Sequence, residues 1–300
     1  MTDQQDLLFE LGTEELPPVA LSRLSRALAD EFTAGLQEAS LDFTELKAFA
    51  TPRRLAIMVS ACDNRQADRE VMRRGPAVKA AFDANGIPTK AAEGFARSCG
   101  TTVEQLSREK TDKGEWLAFN LQEHGKPAEE LLPEIADRAL NRLPIPKRMR
   151  WGDSDAQFVR PVHWLLFMQG NQVVHCNLLG VDAGQKTFGH RFHHPDAIII
   201  NGPDEYLDKL RAARVLADFA ERKAQIRQQV THAAEALNGT ADVDDDLLDE
   251  VTALVEWPVP VTASFEDKYL AVPHEALIYT MKKNQKYFPV LSHEGRLMNH

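Results

Sequence analysis

Three hundred residues, 43% hydrophobic and 27% charged, describe a chain that can bury a substantial core and is long enough for more than one domain. No apolar run approaches the roughly eighteen residues that cross a bilayer, and the opening MTDQQD lacks the basic-then-apolar profile of a secretion signal, so the sequence reads as cytoplasmic. The net charge of -10 is local: from Gln228 to Asp267 there are ten acids and no Lys or Arg, and the other 35 acids balance all 35 cations, which leaves room for a polyanionic partner.

Leu7 to Leu11 is a short apolar run ending at Gly12, the pattern of a strand. Thr13 is placed to cap a helix whose first turn holds Glu14, Glu15 and Pro17, and Leu21, Leu24, Leu28, Phe32 and Leu36 then recur on one helical face. The two acids suit the positive end of that helix's dipole. Arg53 to Cys62 alternates as a strand after the Thr51-Pro52 turn. Trp116 to Leu121 reads as another, followed by a helix from Pro127 with Leu131, Leu132, Ile135 and Leu140 inward. Val162–Met168 and Val173–Leu179, joined through Gly170-Asn171, form the clearest hairpin candidate. Asn201-Gly202-Pro203 punctuates the chain, and a long helical pattern runs on to about Leu237. A helix over 247–255 and strands at Val259–Phe265 and Tyr287–Leu291 follow, the last turning through 292–295 into a return strand that the sequence leaves unfinished. The expectation is an α+β fold with mixed, mainly antiparallel sheets and flanking helices, an N-terminal region over 1–200, and a helical segment with strands over 201–300 that begins a further domain and is truncated at its C-terminal end.

Cys62, Cys99 and Cys176 are widely spaced with no C-x-x-C, so buried reduced thiols are expected. Phosphate loops, G-x-G-x-x-G, H-E-x-x-H and G-x-S-x-G are all missing from the sequence, and no catalytic residue is assigned. The histidines of His190-Arg191-Phe192-His193-His194 would converge on a metal only if that segment were helical, and Gly189 and Pro195 argue for a turn, so no metal site is assigned either. Cations beside aromatic residues are the remaining signal. Arg53 and Arg54 sit at a strand mouth. Lys147, Arg148 and Arg150 precede Trp151, with Arg160 beyond. His190 and Arg191 lie between Phe188 and Phe192, and Lys282 and Lys283 precede Tyr287. Such mixtures suit phosphates together with unstacked bases. For Arg53 and Arg160 an internal ion pair that organises a turn is the competing reading.

Eight stretches in order, LFELGTEELPP (8–18), TPRRLA (51–56), GIPTKAAEGFAR (86–97), KRMRWG (147–152), FVRPVHW (158–164), TFGHRF (187–192), EVTALVEWPVP (250–260) and MKKNQKYFPV (281–290), resemble the β subunit of bacterial tetrameric glycyl-tRNA synthetase. The resemblance covers the whole length, and the family's β chain is longer. It implies an α2β2 assembly in which a separate α subunit activates glycine with ATP and Mg²⁺, this chain binds no cofactor of its own, and the β subunit captures tRNA-Gly. The N-terminal region is also similar in part to the B3/B4 module of phenylalanyl-tRNA synthetase β subunits, though no editing motif can be matched residue by residue. Two rival readings stay open: a metal-dependent hydrolase centred on His190, His193 and His194, and an assembly module that binds protein and no RNA.

Overall fold

The computed structural model describes residues 3–83, 85–112 and 114–300. These divide into two compact units, one formed by 3–64 with 128–300 and the other by 65–127.

The larger unit is built on β1 (Gln4–Thr13), the central strand of a seven-stranded sheet. Its alternation explains the architecture. Leu7, Phe9 and Leu11 point to one face, Leu8 and Glu10 to the other, and both faces are buried. After β1 comes α1 (Pro18–Glu38), then the hairpin of β2 (Glu45–Thr51) and β3 (Arg54–Asp63), with β3 antiparallel to β1. Leu55, Ile57 and Val59 lie on the first face as the alternation predicts.

The helix start differs from the sequence expectation. Thr13 is the last residue of β1 and Glu14 to Leu16 are not helical. Pro17, extended at φ -60°, is the N-cap and Pro18 opens the helix, its fixed φ and missing N–H suiting the first position. The periodic face holds: Leu21, Leu24, Leu28, Phe32 and Leu36 are buried on the sheet, with the Phe32 ring 5.0 Å from Phe9. Fully burying each such side chain contributes about 1.5–3 kcal/mol. Gly35 lets α1 approach α2 (Ala128–Arg142), since a Cβ there would stand 2.5 Å from Ile135 Cγ2.

β4 (Val162–Gln169) pairs antiparallel with the other edge of β1. The tight turn at Gly170 (φ 55°) and Asn171 forms, but its return arm is only Gln172–Val173. Farther along, the same edge of β4 is taken by β5 (Val181–Gly184), which runs parallel to it opposite Leu165 and Leu166. One edge accepts one partner, so the expected long hairpin is cut short.

The punctuation at Asn201 falls inside this unit. The predicted long helix breaks into α3 (Tyr206–Ala212) and α4 (Phe219–Glu235), with Arg214 at φ 61° turning the chain so that Val215 and Ala217 pack on the second face beside Leu8, Leu166 and Met168. Arg222 of α4, fully buried, donates to the carbonyls of Ala50, Leu216 and Thr252, tying β2, the turn and α5 (Asp245–Leu254) together. Burial pulls its pKa down to about 10. Residues 259–265, expected as a strand, have no regular structure. Val259 and Val261 are exposed, and among the described residues no strand pairs with them. Of 287–291 only Val290–Leu291 is a strand, paired with Thr240–Ala241.

The smaller unit is a three-stranded antiparallel sheet with Gly114–Glu123 between Arg69–Ala77 and Ser107–Thr111, and the helix Lys90–Ser98. Its core centres on Ala81, Ala92 and Leu117. The arginines clustered near 69–74 meet acids of the same unit: Arg69 pairs with Glu123 at 2.9 Å and Arg74 with Glu109 at 2.7 Å.

Candidate functional site

Five of the quoted stretches meet where β1 ends and β3 and β4 begin. Arg54 opens β3 directly after the Pro52 turn, which drives its side chain under the sheet, and it is fully buried. Its Nη1 donates to Glu10 Oε2 and Thr187 Oγ1, both at 3.3 Å. Nη2 donates to the Phe188 carbonyl at 2.9 Å and to Glu256 Oε1 at 3.3 Å, and Nε donates to Thr51 Oγ1 at 3.1 Å. Burial opposes the charge, but Glu10 and Glu256 outweigh it and raise the Arg54 pKa. Glu10 also accepts from Trp164 Nε1 and Thr187 Oγ1, each at 2.5 Å, and from the Tyr206 hydroxyl. Burial, then Glu10, raises the Tyr206 pKa, which keeps that hydroxyl protonated as a donor. One guanidinium therefore neutralises two buried carboxylates only in part, and neutral donors hold the remaining negative charge.

Gly12 belongs to this junction because the Trp164 ring lies across it; a Cβ would fall 1.9 Å from ring atoms. Arg53, half-buried, stands 5.7 Å from the same ring, with its Nε buried and without a hydrogen-bond partner in the protein. Burial, then the neighbouring Arg191, lowers its pKa. Above the junction the GHRFHH segment is a turn, as Gly189 and Pro195 imply. His190 Nδ1 accepts from the backbone N–H groups of Phe192 and His193 at 3.2 and 3.3 Å, and burial lowers its pKa, so this imidazole is neutral. Arg191 pairs with Glu14 at 2.5 Å and Glu15 at 3.7 Å, and Glu14 also meets His163 Nε2 at 3.0 Å. The hydrogen bond from Arg191 holds the Glu14 carboxyl below its usual range against the opposing effect of burial. Glu14 and Glu15 thus serve as counterions to Arg191, and the first turn of α1 holds no acid. Among the described residues no group of three or more His, Cys, Asp or Glu side chains is arranged to hold a metal ion.

The KRMRWG stretch lies elsewhere on the unit. The chain leaves α2 through Leu143 and Pro144-Ile145-Pro146, then makes a short antiparallel pair in which Met149 and Arg150 face Phe158 and Gln157. Arg148 folds back to donate to the carbonyls of Leu140 and Asn141 at 3.3 and 2.8 Å, satisfying the open end of α2, and to Gln157 O at 3.3 Å. Arg160 donates to Glu15 O at 3.0 Å and Val159 O at 2.9 Å. Arg150 pairs with the exposed Asp155 at 3.0 Å, a contact of little energy. Trp151 packs partly buried against the larger core, so one face of it is committed to the fold. Lys147 is exposed, and among the described residues no carboxylate pairs with it. In the 281–290 stretch Lys282 lies between Asp242 at 2.7 Å and Asp244 at 2.9 Å, while Lys283 is exposed.

The eleven candidate residues therefore do not form one surface. Arg54 is a core residue and cannot touch a partner. Arg191 and Lys282 are neutralised by carboxylates. Arg148 and Arg160 are oriented by carbonyls and keep their charge, and Lys147 is free beside them. Sequence reasoning missed Glu10, Thr187, Tyr206 and Glu256, although a lone carboxylate in the apolar LLFEL run does signal a buried partner.

Comparison with known proteins gives a consistent result. The glycyl-tRNA synthetase beta subunit family profile matches residues 7–300. The glycine–tRNA ligase beta subunit of Chromohalobacter salexigens is 54% identical over 291 residues, covering 97% of this chain and 42% of that protein. Its counterpart from Hahella chejuensis is 53% identical over 297 residues, 99% of this chain and 43% of the relative, and that from Pseudoalteromonas translucida is 50% identical over 295 residues, 98% and 43% respectively. The chain thus spans somewhat over two-fifths of the length of these relatives. The stretches that meet around Arg54 and Glu10, and a match running from β1 to the last residue, have one common explanation: the chain belongs to the glycyl-tRNA synthetase beta subunit family.

Proposed function

We propose that this chain is the tRNA-capturing part of a cytoplasmic glycine–tRNA ligase, working in an α2β2 assembly with a separate α subunit that carries the glycine-activating chemistry with ATP and Mg²⁺. The observation that carries the reading is the state of the cations around α1 and residues 144–160. Lys147, Arg148 and Arg160 keep their charge, the arginines held in place by carbonyl oxygens that cancel none of it. Preset cations of this kind neutralise phosphates and contribute affinity through counterion release. The chain's share of catalysis is positional: holding the tRNA so that its 3′ end meets the partner's activated glycine makes transfer effectively unimolecular. Arg54, Arg191 and Lys282 are no part of this surface.

The test is tRNA-Gly affinity measured against salt for the chain together with its α subunit. Lys147→Ala and Arg160→Ala should each lower the slope of log K against log salt by about 1 and weaken binding of all tRNA sequences alike. Unchanged slopes in both variants remove the phosphate role. Glycine activation without tRNA should be untouched by either substitution.

A further inference from the structure

We propose that the groove between the start of α1 and the Pro144–Met149 segment holds one unpaired nucleotide of an RNA chain, its base against an apolar wall and its phosphate among Arg23, Lys147 and Arg160; this rests on the tRNA-binding reading above. The groove encloses about 460 Å³, within the roughly 300–1,000 Å³ of small-ligand sites. Its apolar wall includes Pro17, Pro144, Pro146 and Met149, and its lining includes three cations and no acid. Among the described residues neither Arg23 nor Lys147 forms an ion pair, and Arg160 is fixed by backbone carbonyls alone. No acid in the first turn of α1 offsets the positive end of that helix.

The chemistry selects the occupant. An anion with a flat, weakly polar body is complementary to cations set around an apolar recess. A duplex keeps its bases stacked inside, so only an unstacked nucleotide can place a base there. The thioether of Met149 and the flat faces of the prolines suit a π surface. An acidic peptide is the other anion to weigh, since arginine clusters also read acidic motifs, but a peptide brings backbone N–H and C=O groups that need partners of their own in an apolar recess. The wall here contains Pro17, Pro144 and Pro146, none of which has an N–H to offer.

The experiment uses the chain with a labelled single-stranded RNA pentanucleotide, a blunt RNA hairpin, an acidic peptide and whole tRNA-Gly as probes. Met149→Ala should weaken the pentanucleotide by up to about tenfold with an unchanged salt slope, as loss of an uncharged thioether–π contact does. Arg23→Glu should weaken it and lower the slope, while Arg26→Glu, the same charge change outside the lining, should have a smaller effect. Four results overturn the proposal: no pentanucleotide binding, equal losses for the two arginine variants, a hairpin that binds as well as the single strand, or an acidic peptide that binds with the same dependence on Met149. Whole tRNA separates the two levels. If Lys147→Ala weakens tRNA while Arg23→Glu and Met149→Ala do not, the groove assignment alone fails; if wild type does not bind tRNA, both fail. Circular dichroism of each variant confirms that these surface changes leave the fold intact.

Discussion

Replacing Arg54 by Met separates a structural arginine from an RNA-binding one. The side chain is fully buried and makes five hydrogen bonds, two of them to carboxylates. Methionine fills much of the volume but leaves Glu10 and Glu256 buried in one network with no counterion between them. Removing one partner of a buried ion pair costs about 3–5 kcal/mol, a large share of the roughly 5–15 kcal/mol that holds an ordinary domain together. Trp164, Thr187 and Tyr206 still donate to Glu10, so the loss belongs at the lower end of that range unless a carboxyl takes up a proton. Urea unfolding read by tryptophan fluorescence measures it, because Trp164 is in the network and reports the junction directly. Arg54→Lys should recover little, since one ammonium cannot reach five acceptors arranged for a planar fork. Adding Glu10→Gln to Arg54→Met should recover part of the loss, because the amide removes a buried charge while its oxygen, placed where Oε1 was, still accepts from Trp164 and Thr187. An Arg54→Met protein with stability within about 1 kcal/mol of wild type and a reduced salt slope for tRNA would refute this account and return Arg54 to the surface.

Three further outcomes follow from the same geometry. Gly12→Ala should destabilise by about 1–3 kcal/mol and shift Trp164 emission, because the ring lies where the new methyl must go; an unchanged spectrum and midpoint would show that the ring is not there. Burial pushes the Cys62 thiol up to about 12 and Cys176 up to about 11, so at pH 8 iodoacetamide should label both slowly, Cys62 the slower, until urea is added; rapid labelling of Cys62 in the folded chain contradicts its burial. For Glu14 the folded carboxyl lies below its ordinary 4.5, so the stability it contributes is present above that value and is lost as pH falls through the lower folded value. Thermal melts of wild type and Glu14→Gln should therefore converge as the pH falls below 4.5, by only about a few tenths of a kcal/mol for so exposed a group, and parallel curves would remove the Arg191 contact.

How much of this was legible in the sequence depends on the range of the forces involved. The α1 face, the alternation of β3 and the turn at Gly170 are set by neighbours a few residues apart, and they appear as read. Thr13 as a cap failed because β1 pairs to its very end with β4 and the chain runs on outside any helix to Pro17, so the helix opens five residues beyond Thr13. The 259–265 strand failed because alternation states only that a segment suits pairing, and among the described residues no edge is there to pair with it. The site was misread in part for a similar reason. Arg54 and Arg53 are adjacent in sequence, but the pleat sends the first under the sheet toward Glu10 and leaves the second half-exposed. Glu256, the second counterion of Arg54, is 202 residues away in sequence, and no local pattern announces such a pairing.

The acidic run from Gln228 to Asp267 makes the same point about charge and leads to a physical criterion. Asp242 and Asp244 pair with Lys282, Asp245 with Arg227, Asp249 with Lys223, Glu250 with Lys286 and Glu256 with Arg54. A run that looks like an acidic patch is thus largely a set of counterions for cations outside it, and Lys282 loses its availability to phosphate through it. The identity of the acceptor, more than exposure, decides whether a cation can serve a polyanion. A carboxylate cancels the charge, and displacing it with a phosphate only exchanges one anion for another. A carbonyl fixes the direction of a guanidinium and leaves its full charge to act outward, so a phosphate arriving there gains the whole interaction without the entropy of ordering the side chain. Arg148 and Arg160 meet that criterion, while Arg54, Arg191 and Lys282 do not, although all five look alike when cations are counted along the sequence.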